Sequence, residues 1–225
     1  VKILMKNLTL IIPAKYESDS LPEVLSELEA FKCEKLIVLD KNDKKTVDSI
    51  IKISGIKLLY QKKNGYGAAL IEGIENCTTN FFCIFNADGS FNPNELISMY
   101  NKLEKYDFIF ASRYQSNSGS DDDNIITRVG NFFFTKIGNI FFKLPITDIL
   151  YTFVMGKTSK AQSLKMSNLD FSYCVELPIK IFRNKMSLTT NPSYERKRIA
   201  GEKKVHAIKD GIKILNSMIH LFFSK

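Results

Sequence analysis

The chain has 225 residues, 44% of them hydrophobic and 25% charged. That length and mix describe one soluble globular domain and exclude a disordered or fibrous protein; about 70% of the unfolded surface can be buried without disulfides or a structural metal. The net charge of +8 is concentrated at one end, where residues 181–225 hold ten Lys or Arg against three acids, so that end suits an anionic partner such as a phosphate or an acidic membrane surface, or is a solvated basic face.

Through residue 111 strand and helix signals alternate. Residues 8–13 (LTLIIP) are a short apolar run of the kind a buried parallel strand shows. Residues 21–31 space Leu21, Val24, Leu25, Leu28 and Phe31 as a helix does, with Pro22 in its first turn. Residues 35–40 (KLIVLD) predict a second strand ending in an acid, 46–53 a helix, 56–60 a third strand and 67–75 a helix. Residues 80–85 (NFFCIF) predict a fourth strand, 93–103 a helix and 107–111 (DFIFA) a fifth strand. This alternation predicts an α/β fold, a parallel sheet covered by helices, with ligands at the carboxyl ends of the strands.

Residues 115–124 (QSNSGSDDDN) read as a polar, mobile loop. The Phe- and Ile-rich residues 125–144 read as a core helix, with a helix resting on a membrane interface as the alternative. Residues 173–182 predict a helix and 186–190 a strand. Residues 204–223 predict an amphipathic helix with Val205, Ile208, Ile212, Leu215 and Ile219 on one face and Lys203, Lys204, Lys209 and Lys213 around the other. The four cysteines, Cys33, Cys77, Cys83 and Cys174, form no C-x-x-C pair, which excludes a zinc ribbon or thioredoxin motif. Cys77 and Cys83, in or beside an apolar run, read as small core residues, and the compartment reads as reducing, hence cytoplasmic. No uncharged apolar stretch approaches the roughly 18 residues of a membrane span, and residues 1–6 lack a signal-peptide core.

The residues able to carry chemistry cluster after the strands. Asp40, ending the second strand, can accept hydrogen bonds from a base or ribose, or can cap a helix. The segment Asn64-Gly65-Tyr66-Gly67 opens a helix with two glycines, which would let backbone N–H groups approach a phosphate. In Asn86-Ala87-Asp88-Gly89-Ser90 the alternate side chains Asn86, Asp88 and Ser90 share one side of an extended chain. All three are oxygen donors, the class that suits Mg²⁺ or Mn²⁺ when substrate phosphates complete the shell; D-G is also a turn signal. Arg113 and Arg128 are candidate phosphate clamps. Arg196, Lys197, Arg198, Lys203 and Lys204 form a dense basic loop before the last helix. The basic residues lack interleaved aromatics in a recognisable module, so no nucleic-acid partner is expected.

Taken in order, these segments resemble family 2 glycosyltransferases. IIPAKYESDSLPEVL is similar to the family's opening strand and helix, KLIVLDKND to V-x-D-D-G-S, and KNGYGAALIEGI to the G-K-G-A-A-L helix start. FNADGSF is similar to the D-A-D-G-S metal motif, FASRY to G-S-R-Y, and PSYERKRIAGEKK to the late R-x-x-G-x-S-K motif. The resemblance is to the dolichyl-phosphate mannose synthase-like, polyprenyl-phosphate glycosyltransferase branch. It implies a GT-A fold over residues 1–225, with a nucleotide-sugar half (1–114) and an acceptor half (115–225).

By position, the resemblance implies that Pro13, Ala14, Tyr16, Glu17, Asp40, Asn64, Gly67, Asn86, Ala87 and Asp88 surround a UDP- or GDP-linked sugar. Asp88 would bind Mg²⁺ or Mn²⁺ with Asn86 or Ser90. Arg113 and Arg128 would face an acceptor phosphate, and Arg198 and Lys204 would reach the donor from a closing loop. Glu176 and Asp148 match family acids. The sequence departs from the pattern at Lys41, which replaces the second Asp of the nucleotide motif, and at Asn86, which replaces the first Asp of the metal motif. Residues 149–156 (ILYTFVMG) stand where P-T-S-G-F-R is the pattern, and Lys203 replaces a serine.

The implied reaction is metal-dependent transfer of a sugar, with inversion, to a polyprenyl phosphate or a cell-envelope glycan precursor. A lipid-phosphate acceptor is ionised, with a second pKa of about 6, and needs no strong base; a hydroxyl acceptor needs one, with Asp148 first in line. The basic last helix suits peripheral attachment to an anionic membrane, packing on the sheet, or a homo-oligomer contact. Two other classes compete: a catalytically degenerate binding module, which Lys41 and Asn86 favour, and a nucleotidyltransferase, disfavoured because Pro13-Ala14-Lys15-Tyr16-Glu17 has no glycine.

Overall fold

The computed structural model describes residues 2–201 and 206–224. In chain order the first half contains β1 (Ile3–Ala14), α1 (Leu21–Glu27), β2 (Phe31–Leu39), α2 (Lys44–Ile50), β3 (Lys57–Tyr60), α3 (Tyr66–Glu75), β4 (Phe81–Ile84), α4 (Glu95–Lys102) and β5 (Phe108–Ser112). The second half adds β6 (Gly119–Ser120), α5 (Ile125–Phe142), β7 (Val154–Lys157), α6 (Thr158–Ser163), α7 (Tyr173–Arg183), β8 (Leu188–Pro192), β9 (Tyr194–Glu195) and α8 (Ala207–Phe223). Seven strands form one sheet in the order β3-β2-β1-β4-β7-β5-β8, and β6 and β9 form a two-stranded one.

The main sheet is parallel except for β7, which runs antiparallel to both β4 and β5. Its strands are buried on both faces, so they read as apolar runs and not as alternating patterns. Along β1, Ile11 joins one core while Leu10 and Ile12 join the other, as the two-residue period requires. One core lies under α3, α5, α7 and α8, and the other under α1, α4 and Ile50 of α2.

Three sequence expectations shift. The helix expected over 21–31 ends at Glu27, passes through a 3-10 turn at Leu28–Ala30, and releases Phe31 to pair with Ile3 at the start of β2. Strand β7 has no counterpart in the expected elements. Its Gly156 lies between Phe82 and Phe108, and a Cβ there would sit 2.5 Å from Phe108, so the residue that weakens the strand signal is the one that lets the strand fit. Residues 115–124, expected to be mobile, are anchored. They contain β6 paired to β9, and Tyr194 covers Gly119 and donates from its hydroxyl to Asp121 at 2.7 Å.

The two long helices of the second half correct the reading of their apolar faces. Helix α5 buries Phe134, Thr135, Gly138 and Phe142 but exposes Phe132, Phe133, Ile140 and Phe141. Helix α8 buries Asp210, Ile214, Met218 and Leu221, while Ile208, Ile212 and Ile219 of the expected stripe face solvent. Of the cysteines, Cys77, Cys83 and Cys174 are buried, Cys33 is half-buried, and all four are free thiols. No helix among the described residues is long and apolar enough to cross a membrane.

Candidate active site

The carboxyl ends of β1, β4 and β5 open into a cleft of about 360 Å³, at the edge where open α/β sheets bind ligands. Pro13, Ala14, Lys15 and Glu17 form its β1 side, and Asn86, Ala87, Asp88 and Ser90 its β4 side. Thr127 and Asn131 of α5, Ile214 of α8, and Glu195 and Arg198 close it from the second half.

Asp88 is placed by the turn that follows β4. Gly89 has φ of +80°, so the turn favours glycine, and a Cβ there would also push aside the Ile199 side chain, 2.4 Å away. The Asp88 Oδ1 accepts from the Ser90 N–H at 3.0 Å and the Ser90 hydroxyl at 2.7 Å. Ser90 is thus turned onto Asp88, and the geometry makes it an orienting group for that carboxylate where the sequence suggested a metal ligand. The Asp88 Oδ2 has the Arg198 guanidinium 3.6 Å away, beyond a direct hydrogen bond. Asn86 Oδ1 accepts from the Tyr66 hydroxyl at 3.1 Å, and that hydroxyl also pairs with Thr152 at 2.7 Å. Burial pushes the Tyr66 phenol pKa well up, so Tyr66 is a neutral donor.

The donor set fits a divalent cation only in part. Asp88 Oδ2 and Asn86 Oδ1 are hard oxygens with lone pairs to spare. No group of three or more His, Cys, Asp or Glu side chains able to hold a metal occurs among the described residues. The arrangement suits Mg²⁺ or Mn²⁺ held by one carboxylate and one amide oxygen, with a diphosphate completing the shell.

The basic segment 194–201 is stitched across this turn. Arg196 N–H donates to the Ser90 carbonyl and Ile199 N–H to the Asp88 carbonyl, each at 2.8 Å. The Arg196 guanidinium donates to both carboxylate oxygens of Glu27. Arg198 reaches Asp122 of the polar loop at 2.9 Å while facing Asp88. Lys203 and Lys204 lie outside the described residues.

Arg113 and Asp148 do come together, but as partners of each other. The Arg113 guanidinium donates to Asp148 Oδ2 at 2.7 Å and Oδ1 at 3.0 Å, and to Glu195 at 3.0 Å. It lies over the Tyr151 ring, 4.5 Å from its centroid. Burial works against the Arg113 charge, and Asp148 and Glu195 more than restore it. The Asp148 side chain is fully buried and does not line the cleft. This corrects the expectation of Asp148 as a proton acceptor, since its side chain is buried against Arg113 outside the cleft lining. Arg113 lines the cleft, with its donors directed into protein carboxylates. Asp123, which also lines the cleft, accepts from the Tyr114 and Thr127 hydroxyls.

The two glycines that open α3 are packed on their Cα side against the backbone of a later segment. A Cβ on Gly65 would fall 2.0 Å from the Leu169 carbonyl oxygen, and one on Gly67 would fall 2.3 Å from that of Asn168. The Ala68 N–H donates to Leu169 O at 3.0 Å. The backbone of residues 168–170 thus accounts for the small residue at Gly67, a requirement the sequence reading assigned to a ligand. Glu176 holds that backbone, accepting from Ser167 and Asn168 N–H at 2.9 and 2.8 Å. Burial opposes the charge of Glu176, but Lys180, the Ser167 hydroxyl and the Asn168 N–H hold its carboxyl below the ordinary range. Gly67→Ala should therefore lower stability by about 3 kcal/mol, because the clash is with backbone. Gly130→Ala, at an open position of α5, should be neutral or stabilising; urea unfolding of both checks the pair, and a neutral Gly67→Ala would show that residues 168–170 yield.

Asp40 ends β2 as expected and forms a 2.8 Å ion pair with Lys15. Lys15, first among its partners, holds Asp40 below the usual carboxylate range. Asp40 does not itself line the cleft, while Lys15 does. Tyr16 has φ of 55° and is exposed beside it. Asn64 lies outside the cleft, in a polar groove near α8. Arg128 is exposed in the first turn of α5. Sequence reading missed Lys15, Tyr66, Asp122, Asp123, Tyr151 and Glu195, all of which line the cleft; the two aspartates lay in a segment dismissed as mobile. Cys174 also lines it, and burial pushes its thiol up to about 12, which leaves no nucleophilic thiolate.

A sheet of this order with its polar cleft at the strand ends defines a GT-A fold, the α/β architecture of nucleotide-sugar transferases. The chain matches the model of Glycosyl transferase family 2 over residues 9–164 and belongs to that family. It is 26% identical over 141 residues to uncharacterised glycosyltransferases of Mycobacterium bovis and Mycobacterium tuberculosis, matching 63% of this chain and 63% of each of theirs. The fold is similar to that of glucosyl-3-phosphoglycerate synthase from Mycobacterium tuberculosis, solved with Mn²⁺, UDP and glucosyl-3-phosphoglycerate (TM-score 0.74, 11% identity, 96% of this chain and 80% of that one). It is also similar to mannosyl-3-phosphoglycerate synthase from Rubrobacter xylanophilus (TM-score 0.72, 11% identity, 95% and 72%).

Proposed function

We propose that this glycosyltransferase moves a sugar, with inversion, from a UDP- or GDP-linked donor to a polyprenyl-phosphate type of acceptor, as the dolichyl-phosphate mannose synthase-like branch does. The observation that carries the reading is Asp88, held on one oxygen by Ser90 and open on the other toward Arg198 in the cleft. Asp88 and Asn86 would hold Mg²⁺ or Mn²⁺, which when bound neutralises charge on the diphosphate. Arg198, which lines the same cleft, would stabilise the negative charge that develops on the departing nucleotide. The Mn²⁺ and UDP in the solved glucosyl-3-phosphoglycerate synthase support the same pairing of donor and cation.

A phosphate acceptor is already ionised, with a second pKa of about 6, so positioning and not proton removal would limit it. That agrees with the burial of Asp148 against Arg113. Arg128, exposed in the first turn of α5 beside cleft-lining Thr127, would be the cation that holds such a phosphate. A hydroxyl acceptor is the second reading, favoured by the Asp123 and Glu195 carboxylates in the cleft; Asp123→Asn should then stop turnover, and should leave it nearly unchanged with a phosphate acceptor.

Calorimetric titration with UDP, GDP, CDP and TDP, each with and without Mn²⁺, tests the donor. One nucleotide should bind about tenfold or more tightly with metal than without, a difference of about 1.4 kcal/mol. A folded protein that binds none of them would overturn the reading.

A further inference from the structure

Helices α5 and α8 are apolar on two sides. Their inner sides pack in the core, and their outer sides carry Ile125 (81% exposed), Phe132 (63%) and Ile140 (68%) on α5 and Ile208 (73%), Ile219 (49%) and Phe223 (78%) on α8. Ile126, Val129 and Phe133 extend the first stripe and Ile212 the second, all exposed. The spacing keeps each set on one helical face. The stripes join, because exposed Phe141 and Phe222 meet edge to face at 5.9 Å, while Phe134 lies beneath Gly211. Isolated exposed apolar residues are ordinary, but a continuous surface of this kind marks an interface.

The charges around the stripes point to its occupant. Lys136 stands within the α5 stripe with its Nζ 5.4 Å from the centre of the Phe132 ring. Lys209 flanks the α8 stripe beside Lys213, which is shared with Asp210 at 3.4 Å and Asp170 at 3.6 Å, and Lys143, Arg183 and Lys185 line the groove where the helices end. Helix α5 contains no acid, and Asp210, the acid of α8, faces inward and accepts from the His206 N–H. An isologous contact between two copies would set these cations against one another. A surface of anionic headgroups over acyl chains matches both features, with lysines reaching the phosphates and the rings entering the boundary.

We propose that the outward faces of α5 and α8 dock the protein on an anionic lipid bilayer, both helices lying in the plane of the interface. Neither crosses it, since no described helix is long and apolar enough. The inner sides of the same helices contribute Thr127, Asn131 and Ile214 to the cleft, so docking would hold the cleft one helix thickness, about 10 Å, from the lipid surface. The proposal rests on the exposed faces and does not require the donor assignment.

Sedimentation of the full chain with vesicles tests it. Vesicles of phosphatidylcholine and phosphatidylglycerol in equal parts should capture the protein about tenfold or more tightly than phosphatidylcholine alone, with binding falling as salt rises. Phe132→Ser with Phe133→Ser, and separately Lys136→Glu with Lys209→Glu, should each weaken capture about tenfold. Their far-ultraviolet circular dichroism and melting curves should match the parent chain, as should nucleotide titration if the donor reading holds. Absent capture by either vesicle, or variants captured as well as the parent, would overturn the proposal. So would light scattering that shows a dimer in lipid-free solution dissociated by the phenylalanine substitutions, which would assign the face to a second copy. A chain that binds vesicles but no nucleotide would uphold the docking face and overturn the donor reading alone.

Discussion

Replacing Asp88 by asparagine should remove the effect of Mn²⁺ on nucleotide binding and lower turnover about a hundred- to a thousandfold, the scale on which a group stabilising developing charge acts. The substitution isolates charge from shape. Asparagine keeps an oxygen that can accept from the Ser90 N–H and hydroxyl, which hold Asp88 at 3.0 and 2.7 Å. The turn at Gly89 and the seat of Ile199 should therefore survive, and urea unfolding should match the parent. What is lost is the negative charge that faces Arg198 at 3.6 Å and would hold a divalent cation. Titration of the preferred nucleotide with and without Mn²⁺ reads the effect directly. An Asp88→Asn protein that keeps its metal dependence would move the cation elsewhere and remove Asp88 from the chemistry.

The largest effect on stability should follow from Arg113→Ala, at about 3–5 kcal/mol. Both Asp148 oxygens and one Glu195 oxygen accept from this guanidinium, and the Asp148 side chain is fully buried. Without it two carboxylates stay in a site of low polarizability with no countercharge. At about 2–4 °C per kcal/mol for a chain of this size, the melting temperature should fall on the order of 10 °C. Lysine should rescue poorly, because one ammonium cannot serve both Asp148 oxygens and Glu195 in the planar geometry of a guanidinium. Asp148→Asn in the Arg113→Ala background should recover much of the loss, since it removes the stranded charge. Denaturant unfolding of the four proteins checks the cycle. A cost below about 1 kcal/mol would class the pair with exposed ion pairs and free Arg113 for an acceptor phosphate.

The parts of the site legible in the sequence are those set by neighbours along the chain. LTLIIP, KLIVLD and NFFCIF read as strands because a parallel strand covered on both faces needs an unbroken apolar run. Asp88 read correctly as lying in the turn just beyond a strand, because strand and turn signals are local. Where the same local pattern serves two ends, sequence could not choose. Gly65 and Gly67 mark a close approach to α3, and only the fold shows that the approaching group is the backbone of residues 168–170.

Pairings between distant segments were out of reach for the same reason. Nothing near Asp148 announces that Arg113 will occupy both its oxygens, and nothing near Asp122 announces Arg198. The sequence by itself determined the alternation of elements, the family and the position of the acid at the end of β4. Tertiary structure decided that Gly65 and Gly67 meet protein backbone, which carboxylates stay open to the cleft, and which apolar stripes of α5 and α8 remain uncovered. Periodicity fixes the angle of a stripe around its own helix, but whether that stripe meets a core or solvent depends on segments that arrive from elsewhere in the chain.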